Sequence, residues 1–450
     1  MHGKQDSMRI LAVGGGAREH AIVAALVRSG AEVYACLKNR NPGIARSAKE
    51  FLLVDENDVD KVVAFARSKN IELAIVGPEA PLEAGLVDAL QAAQVPTASP
   101  ARSAAMIETS KSFMRRVLSE HRVSGAVRHK VVDTVRDLEL AIDDLGLEVV
   151  VKPVGLTGGK GVKVFGEHMM NRQDIMDYGR EVLSKKIGGS AKLVVEEKLV
   201  GEELTIQAFC DGKNLVPMPA VQDHKRAYEG DKGPNTGGMG SYSMSDGLLP
   251  FLGRKEYDSA VKIMKETVAA LRKEGAEYRG TLYGQFMITK DGPKVIEFNA
   301  RFGDPEAMNV LSLLKSDFVE ICNRMAHGGL RAKHAVFDKK ASVCKYVVPE
   351  GYGTKSLTDA EIVVDEEEIS KEGALLYYAS VNERDGRIFT TTSRSIGVVG
   401  ISESIEDAER VVEKGISHIS GRIHVRHDIA KREMLEAKVR RMENIRKGVR

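Results

Sequence analysis

The chain has 450 residues, of which 43% are hydrophobic and 29% charged, and its net charge is only +2. This length is enough for about three domains of ~150 residues each, and the near-neutral charge gives no reason to expect binding to nucleic acid or to a membrane surface. Four scattered cysteines without a Cys-x-x-Cys pair, a polar start and no long apolar run favour a cytoplasmic protein without a disulfide framework, signal peptide or membrane span.

The first hundred residues alternate between short apolar strands and amphipathic helices. Strands are predicted at Ile10 to Val13, Val33 to Leu37, Phe51 to Val54, Leu73 to Val76 and Val95 to Ala98, and helices at Ala17 to Leu26, Asp58 to Ser68 and Leu82 to Ala93. This rhythm predicts a parallel, Rossmann-like sheet.

The first turn, Gly14 to His20, resembles a dinucleotide loop but lacks the third glycine, since Glu19 stands there, and no acidic residue follows the second strand. Arg18 and His20 at a helix N-terminus favour an anionic small molecule instead. The alternative is a glycine turn needed only for close packing. A second loop, Gly77 to Glu79, leaves the sheet at the same carboxyl edge, where ligands of such sheets bind.

A connector follows, with a helix predicted at Ser103 to Ser119, on which Lys111 could simply be a solvated lysine. After it, a valine-rich strand ends at Lys152, and a glycine-rich hairpin runs from Gly155 to Gly161 before the next strand. Backbone N–H groups in such a hairpin, with Lys152 and Lys160 as charges, suit phosphates, and its glycines predict a mobile lid. A flexible hairpin tip without a ligand is the alternative.

Two further strands, Leu193 to Leu199 and Gly201 to Phe209, are separated by a short connector that could hold an adenine ring and a ribose, with Glu196, Glu197 and Glu203 nearby. From Val221 to Ser243 the chain has little periodicity and many glycines, so we predict a long irregular loop. Its charged cluster, Asp223 to Arg226, indicates a substrate loop.

Thr281 to Thr289 and Lys294 to Asn299 form a predicted hairpin across Asp291-Gly292. The apolar pattern favours an odd-length loop that places Gln285 opposite Glu297, with Phe286, Ile288, Ile296 and Phe298 on one face. Glu297 and Asn299 then point the same way, next to Gln285, and suit a hard cation such as Mg²⁺, while Arg301 suits a phosphoryl group. A half-exposed hairpin with a solvated Glu297 is the alternative.

Beyond about residue 335 the pattern changes to an α+β module without an evident chemical cluster. Strands are predicted at Ser342 to Val348, Ala374 to Ser380, Arg387 to Thr391 and Gly397 to Ser402. A helix at Ser404 to Ile419 begins with a capping box, and Asp428 to Arg450 is predicted as a solvated terminal helix.

Several of these segments together resemble the phosphoribosylamine–glycine ligase family of the ATP-grasp superfamily. The resemblance is carried by GGGAREHA at 14–21, GPEAPL at 77–82, SKSFM at 110–114, VVKPVGLTGGKGV at 150–162, EEKLVGEE at 196–203, QDHKRAYEGDKGPNTGGMGSYS at 222–243 and EFNARFGDPE at 297–306. The 222–243 segment is the most specific, because a generic ATP-grasp enzyme shares the metal strand but not this segment.

The resemblance implies ATP-dependent ligation of glycine to 5-phosphoribosylamine in purine biosynthesis, with ADP and phosphate as the other products. It implies that Arg301 and Lys152 are catalytic and that Gln285, Glu297 and Asn299 hold Mg²⁺ or Mn²⁺, with two ions expected. The implied ATP-binding residues are Lys111, Lys152, Gly158, Gly159, Lys160, Glu196, Glu197, Lys198, Leu199 and Glu203. The implied residues for glycine and phosphoribosylamine are Gly15, Gly16, Arg18, Glu19, His20, Pro78, Glu79, Asp223, His224, Arg226, Asn235, Gly237, Gly238, Met239 and Asp304.

The predicted architecture is therefore a multidomain α/β and α+β protein, as a monomer or homodimer. It comprises a Rossmann-like domain (1–108), a small ATP-grasp subdomain with the lid (109–196), a large ATP-grasp subdomain (197–334) and an α+β C-terminal domain (335–450). Three alternatives are another ATP-grasp carboxylate–amine ligase, a nucleotide-linked dehydrogenase and a non-catalytic nucleotide-binding protein. The 222–243 segment counts against the first alternative, and the incomplete dinucleotide fingerprint counts against the second. The third is disfavoured because Lys152, Glu297 and Arg301 are all present.

Overall fold

A computed structural model describes residues 7–157 and 161–448. The predicted lid residues Gly158, Gly159 and Lys160 lie outside the described residues. None of the helices in the described ranges is both long and apolar enough to cross a membrane.

The N-terminal part of the chain folds around a four-stranded parallel sheet in the order β3-β2-β1-β4, as the alternation of strand and helix predicts. Its elements are β1 (Arg9–Val13), α1 (Ala17–Arg28), β2 (Glu32–Leu37), α2 (Pro42–Ser47), β3 (Glu50–Leu53), α3 (Val59–Ser68), β4 (Leu73–Val76), α4 (Glu79–Glu83) and α5 (Leu86–Ala92). The predicted strand at Val95 to Ala98 is reduced to a single parallel bridge between Ala74 and Thr97. The helix predicted at Leu82 to Ala93 is divided, because Gly85 has a left-handed backbone with φ of 87°.

The connector contains two helices where the sequence predicts one: α6 (Arg102–Thr109) and α7 (Lys111–Glu120). Ser110 between them is extended, and its hydroxyl accepts a hydrogen bond from the backbone N–H of Phe113. Ser110 therefore ends one helix and caps the next. The cap places Lys111 in the first turn of α7.

A small antiparallel sheet in the order β5-β8-β6-β7 comes next and packs around a hydrophobic cluster of its own. Its elements are β5 (His129–Val132), α8 (Val135–Leu145), β6 (Val149–Pro153), β7 (Lys163–Val164), α9 (Arg172–Lys185) and β8 (Leu193–Glu197). Lys152 lies near the end of β6. Glu196, on β8, is the cross-strand partner of Val150 on β6.

The large antiparallel sheet has the order β10-β9-β15-β16, so that β15 lies between β9 and β16. The elements of this region are β9 (Glu202–Asp211), β10 (Leu215–Pro217), β11 (Gln222–Asp223), β12 (Arg226–Tyr228), β13 (Lys232–Asn235), β14 (Gly240–Ser243), α10 (Arg254–Lys273), β15 (Arg279–Thr289), β16 (Gly292–Asn299), α11 (Glu306–Leu313) and α12 (Phe318–His327). The prediction of a long irregular loop at Val221 to Ser243 is wrong. Four short strands form there, two of them paired as the β12–β13 hairpin.

The β15–β16 hairpin has the predicted pairing of Gln285 with Glu297, but it reaches that pairing differently. Thr289 pairs with Gly292 around a two-residue turn, so the predicted odd-length loop is wrong. A β-bulge at Ile296 restores the register, because one extra residue in β16 changes which side chains face the core. Val295, and not Ile296, is therefore the fully buried residue beside Phe286.

The C-terminal part combines two sheets with helices, as predicted. Its elements are β17 (Ala341–Pro349), β18 (Glu361–Val364), α13 (Glu366–Lys371), β19 (Leu375–Tyr378), β20 (Val381–Arg384), β21 (Arg387–Thr390), β22 (Ile396–Ser402), α14 (Ile405–Ser417), β23 (Ile419–Gly421), β24 (Ile423–His424) and α15 (Arg432–Arg446). The first sheet has the order β11-β14-β17-β22-β19, with β24 beside β17, and the second has the order β20-β21-β18-β23. Strands of the 222–243 segment thus join the C-terminal sheet.

The terminal helix α15 is docked onto the protein, which corrects the prediction of a merely solvated helix. Met442 is fully buried, and Lys438 lies 3.3 Å from carboxylate oxygens of both Glu202 and Asp231. The helix therefore joins the start of β9 to the turn of the β12–β13 hairpin.

Candidate active site

The end of the β15–β16 hairpin carries the predicted metal residues on one face. Gln285 and Glu297 are direct cross-strand partners, and Asn299 lies two residues further along β16. The amide nitrogen of Gln285 donates to Glu203 at 2.5 Å, whereas its amide oxygen is buried and has no hydrogen-bond partner among the described residues. A buried acceptor without a donor is costly unless a ligand satisfies it, so this oxygen fits a cation.

Glu297 is the central carboxylate of this face, and it forms no ion pair within the described ranges of the chain. Burial raises its pKa, but four positive side chains more than offset that effect and lower it: Lys225, Lys152, Lys111 and Arg301. Convergent positive charge around a carboxylate that stays ionised suits polyphosphate bound together with a divalent cation. No group of three His, Cys, Asp or Glu side chains that could hold a metal ion occurs among the described residues.

Arg301 follows β16 and is held by two carboxylates from distant parts of the chain. Its Nε lies 3.3 Å from Glu79, and one terminal nitrogen lies 2.9 Å from Glu108, while the other donates to the carbonyl of Phe302 at 3.3 Å. A guanidinium has five N–H donors, so two remain for an anion in the cavity. Two donors of one guanidinium match the geometry of a phosphoryl group.

The two carboxyl groups beside Arg301 have opposite pKa shifts. Burial raises the pKa of Glu79, but the charges of Arg301 and Arg18 outweigh burial and bring it to about 2. Burial raises the pKa of Glu108 to about 7, because the Arg301 charge that opposes burial is itself countered by the Glu79 charge. Glu108 was not predicted from the sequence as a site residue.

Lys152 reaches the site as part of a buried ion cluster. Its ammonium lies 2.7 Å from Glu196, whose carboxylate also accepts two hydrogen bonds from Arg115, at 2.6 and 2.8 Å. Burial raises the pKa of Glu196, but the two cations lower it to about 2. Glu196 therefore positions Lys152 with its side chain.

The predicted adenine segment lies at the end of β8 and just beyond it. Glu197 accepts a hydrogen bond from the backbone N–H of Arg128 at 2.8 Å, and Lys198 donates to the carbonyl of Phe165 at 2.7 Å. Leu199 belongs to the irregular residues between β8 and β9. Glu203, at the start of β9, lies beside both Gln285 and Lys225.

A cavity of about 150 Å³ brings several of these side chains together. Charged and polar groups line part of the cavity, and residues within and just after the predicted lid line another part. The lining residues are Glu79, Ile107, Glu108, Lys111, Met114, Leu156, Thr157, Val162, Glu297, Phe298, Asn299 and Arg301. The cavity thus joins the metal residues to Lys111 and Arg301.

The glycine turn before α1 is closed by its own helix. The carboxylate of Glu19 accepts the backbone N–H of Gly16 at 2.8 Å and a hydrogen bond from Arg18 at 2.5 Å. A Cβ on Gly77 would collide with the Glu19 carboxylate, so the second loop packs directly against the first. Glu19 therefore holds this turn in place with its own carboxylate, and the binding of an anionic ligand at this helix N-terminus stays a prediction.

Arg18 and Glu79 bring these two loops to Arg301 and Phe302, the residues that follow β16. Arg18 donates to the carbonyl of Phe302 at 3.2 Å, and the carbonyl of Gly15 accepts a hydrogen bond from Asn41. Pro78 lies against Gly14 and precedes α4, which begins with Glu79. Both loops therefore meet the end of the metal strand, as expected for the carboxyl edge of the sheet.

The structure does not place the His20 ring in this cavity. The ring is buried, its Nδ1 accepts the backbone N–H of Tyr378 at 2.9 Å, and burial lowers its pKa to about 4. A neutral histidine between the rings of Tyr377 and Tyr378 joins the N-terminal part to the C-terminal part.

The Asp223 to Arg226 cluster is divided between two sides of the chain. Asp223 and Lys225 face the site, where one carboxylate oxygen of Asp223 is buried without a partner among the described residues and Lys225 lies 3.7 Å from Glu203. His224 is buried on the other side, and Arg226 binds Glu167 at 2.9 Å. Period-two alternation of an extended chain explains this division. It makes Lys225, and not its predicted neighbours His224 and Arg226, the candidate for a contact in the site.

Asp304 is held by two residues of the C-terminal part, although no chemical cluster was predicted there. Its carboxylate accepts a hydrogen bond from the Tyr346 hydroxyl and lies 3.0 Å from Arg394. Arg394 also donates to the carbonyls of Gly237 and Gly238, at 2.6 and 3.2 Å. Arg394 therefore joins three of the predicted substrate residues.

The other two predicted substrate residues of this segment contribute in different ways. Asn235 is exposed and pairs with Arg226 across the β12–β13 hairpin. The side chain of Met239 is fully buried in the core, and its carbonyl accepts the backbone N–H of Tyr346. The backbone N–H of Met239 donates to the carbonyl of His224 at 2.7 Å, so the backbone of Met239 is engaged within the protein at both of its polar groups.

Comparisons with known proteins cover nearly the whole chain. Three family models match: the phosphoribosylglycinamide synthetase N domain at residues 8–108, its ATP-grasp (A) domain at 109–307 and its C domain at 342–432. Phosphoribosylamine–glycine ligase of Methanothermobacter thermautotrophicus is 53% identical over 98% of this chain and 100% of its own length. The same enzyme of Pyrococcus abyssi is 47% identical over 98% of both chains.

Solved structures show the same fold. A crystal structure of phosphoribosylamine–glycine ligase from Thermotoga maritima has a TM-score of 0.80 at 26% identity and covers 94% of this chain and 100% of its own. The biotin carboxylase domain of 2-oxoglutarate carboxylase from Hydrogenobacter thermophilus has a TM-score of 0.72 at 15% identity, covering 98% of this chain and 95% of its own. The second likeness concerns the fold alone.

Proposed function

We propose a residue-level mechanism from the premise that the chain belongs to the phosphoribosylamine–glycine ligase family, an ATP-grasp family of the purine pathway. ATP phosphorylates the carboxylate of glycine, and the amine of 5-phosphoribosylamine then displaces the phosphate. The observation that carries this proposal is the Glu297 carboxylate, which lines one cavity together with Lys111 and Arg301. The charges of Lys225 and Lys152 also lower its pKa.

In the first step a carboxylate oxygen of glycine attacks the γ-phosphorus of ATP, and the bond from that phosphorus to ADP breaks. Arg301 has two N–H donors for the transferring phosphoryl group, and its remaining donors are fixed by protein acceptors. Lys111 lines the same cavity, and Lys152 is held beside it by Glu196. These residues bind and orient the phosphates before the reaction begins.

Mg²⁺ or Mn²⁺ fits the face formed by Gln285, Glu297 and Asn299, because a buried amide oxygen there has no partner among the described residues and the carboxylate stays ionised. We propose that these three residues hold the ions, two in number, together with phosphate oxygens. When bound, the ions supply positive charge to the phosphates. The side chains of the protein provide the orientation of that charge.

In the second step the amine nitrogen of phosphoribosylamine attacks the carbonyl carbon of glycyl phosphate. The C–N bond forms, the C–O bond to phosphate breaks and the nitrogen loses a proton to solvent or to the departing phosphate. We propose that Leu156, Thr157 and Val162, which line the cavity, help to exclude water during this step, so that water does not hydrolyse the acyl phosphate.

The substrate side of the site is proposed to lie where the glycine loops, the 303–306 loop and the 222–243 segment meet. Gly15, Gly16, Arg18, Pro78 and Glu79 form one wall. Asp304, Asp223, Asn235, Gly237 and Gly238 form the other, with Lys225 replacing the side chains of His224 and Arg226. Glu197, Lys198, Leu199 and Glu203 are proposed for adenosine.

The proposal is tested by ADP release from purified protein with ATP and Mg²⁺, with glycine and fresh phosphoribosylamine added separately and together. We expect ADP only when both are present, together with the mass of glycinamide ribonucleotide. Glu297→Gln should abolish turnover and leave the fold intact. Asp291→Asn, an exposed carboxylate in the turn of the same hairpin, is the matched control. Turnover by Glu297→Gln at the wild-type rate would contradict the metal assignment.

A further inference from the structure

The connector between the N-terminal sheet and the small antiparallel sheet runs alongside the metal strand. Three of its charged residues are Glu108 on α6 and Lys111 and Arg115 on α7. Glu108 and Arg115 contact β16 or the residues that follow it, whereas Lys111 donates to the carbonyl of Gly155 at 2.9 Å and lines the cavity with Glu297. These contacts make the connector a candidate for more than a link between domains.

Glu108 holds the far end of the strand. One carboxylate oxygen accepts the backbone N–H of Ala300 at 2.6 Å, and the other lies 2.9 Å from Arg301. The side chain is 7% exposed, so solvent does not compete for these contacts. The Arg301 guanidinium therefore takes its orientation from Glu108 and Glu79 together.

Arg115 holds the bulged end of the same strand. Its terminal nitrogens donate to the carbonyls of Val295 and Ile296, at 3.1 and 2.7 Å, and the side chain is 1% exposed. The same guanidinium binds both carboxylate oxygens of Glu196, which in turn holds Lys152. Arg115 thereby ties the phosphate lysine to the strand that carries Glu297.

We propose that the connector is a positioning element of the ligase, in which Glu108 sets the orientation of Arg301 and Arg115 sets that of Lys152. This inference rests on the proposed function. Neither residue touches the reacting atoms; each acts through the residue it holds. The two ends of the connector should therefore have different kinetic effects.

Replacement of Glu108 should mainly affect the chemical step. Glu108→Gln is nearly isosteric and can still accept the Ala300 N–H through its amide oxygen, but its amide nitrogen then replaces the carboxylate oxygen beside Arg301 and cannot accept a hydrogen bond from it. We expect kcat to fall by roughly 10- to 100-fold, the scale of a small misplacement of a catalytic group, with KM for ATP within about threefold of the wild-type value. Glu120→Gln, an exposed carboxylate on α7, is the control.

Replacement of Arg115 should mainly affect nucleotide binding. Arg115→Lys keeps the charge but cannot span both Glu196 oxygens and two carbonyls at once, so Lys152 loses its fixed position. We expect KM for ATP to rise roughly tenfold with a smaller change in kcat. A general loss of folding would instead lower the active fraction and reduce kcat without a selective rise in KM for ATP. Circular dichroism and active-site titration by ATP would detect such a loss of folded protein.

A double-mutant cycle provides the decisive test. If Glu108 acts through Arg301, then Glu108→Gln combined with Arg301→Lys should be no slower than Arg301→Lys alone, because the guanidinium to be positioned is already absent. Multiplicative losses in the double variant, or wild-type kcat in Glu108→Gln, would overturn the inference. The wild-type protein is assayed in parallel to separate the two proposals. If the wild type shows no glycine-dependent ADP release, the proposed function fails; if only the predicted effects of the variants are absent, the positioning role fails.

Discussion

The contribution of the C-terminal part to substrate binding can be tested at Arg394. This side chain is 13% exposed, and its guanidinium binds the carboxylate of Asp304, the carbonyl of Asp304, and the carbonyls of Gly237 and Gly238. Its guanidinium also lies 4.5 Å from the centre of the Tyr346 ring. Lysine at this position keeps the charge, but its single ammonium lacks the planar, forked donors of the guanidinium and cannot reach all of these acceptors.

The expected magnitude follows from the hydrogen bonds that lysine cannot form. A hydrogen bond to a charged group contributes about 1.5 kcal/mol at the low end. The absence of two such bonds therefore removes about 3 kcal/mol from the free energy that holds Asp304, Gly237 and Gly238 together. Since each 1.4 kcal/mol corresponds to about a tenfold change, Arg394→Lys should lower kcat/KM for glycine or phosphoribosylamine by about 100-fold. The ATP residues lie elsewhere, so KM for ATP should change by less than about threefold.

The assay is steady-state ADP release with each substrate varied in turn, and with the product identified by mass. Arg387→Lys is the control, because Arg387 also belongs to the C-terminal part but is exposed and pairs only with Glu361 among the residues that the structure describes. If Arg394→Lys keeps kcat/KM for both glycine and phosphoribosylamine within about twofold of wild type, the argument that Arg394 organises the substrate loops is refuted.

Three further predictions concern stability and the hairpin. The pKa of Glu196 is about 2, below its ordinary value of 4.5, so its stabilising contribution is present above pH 4.5 and is lost as the pH falls towards 2. Glu196→Gln should therefore remove roughly 3 kcal/mol from the pH dependence of the free energy of unfolding, measured from urea midpoints. Gly43→Ala would place a Cβ 1.9 Å from the His20 ring and should destabilise the protein by about 1–3 kcal/mol, measured in the same way. Lys438→Met should increase proteolysis at the turn of the β12–β13 hairpin, because Asp231 there loses an ion-pair partner.

Each of these has a control and an outcome that would contradict it. Glu197→Gln tests whether any neighbouring carboxyl has the same effect on acid stability, and equal pH profiles for wild type and Glu196→Gln would contradict the first prediction. Gly253→Ala is matched to Gly43→Ala, since a Cβ there would meet only Glu256 at 3.4 Å, and equal stability of these two variants would contradict the second. For the hairpin, Lys447→Met lies just beyond the same helix, and equal cleavage rates in the two variants would show that Lys438 does not hold the turn.

Local patterns in the sequence determined the elements and much of the chemistry. Alternation of strand and helix predicted the parallel N-terminal sheet, because buried strands and amphipathic helices leave distinct periodicities. The two-residue spacing of Glu297 and Asn299 predicted that they share a face, and the apolar pattern predicted the pairing of Gln285 with Glu297. Resemblance of the motifs to a known family supplied the reaction.

Tertiary structure decided which side chains hold those residues in place. Arg115 meets Glu196 across 81 positions of the chain, and Arg301 meets Glu79 across 222. Such contacts depend on how sheets and connectors pack, and nothing in the spacing of nearby residues indicates them. The bulge at Ile296 also involves a tertiary contact, since the carbonyls of Val295 and Ile296 both accept hydrogen bonds from Arg115. Reactive groups can thus be predicted from local sequence, whereas their orientation depends on contacts that only the folded chain brings together.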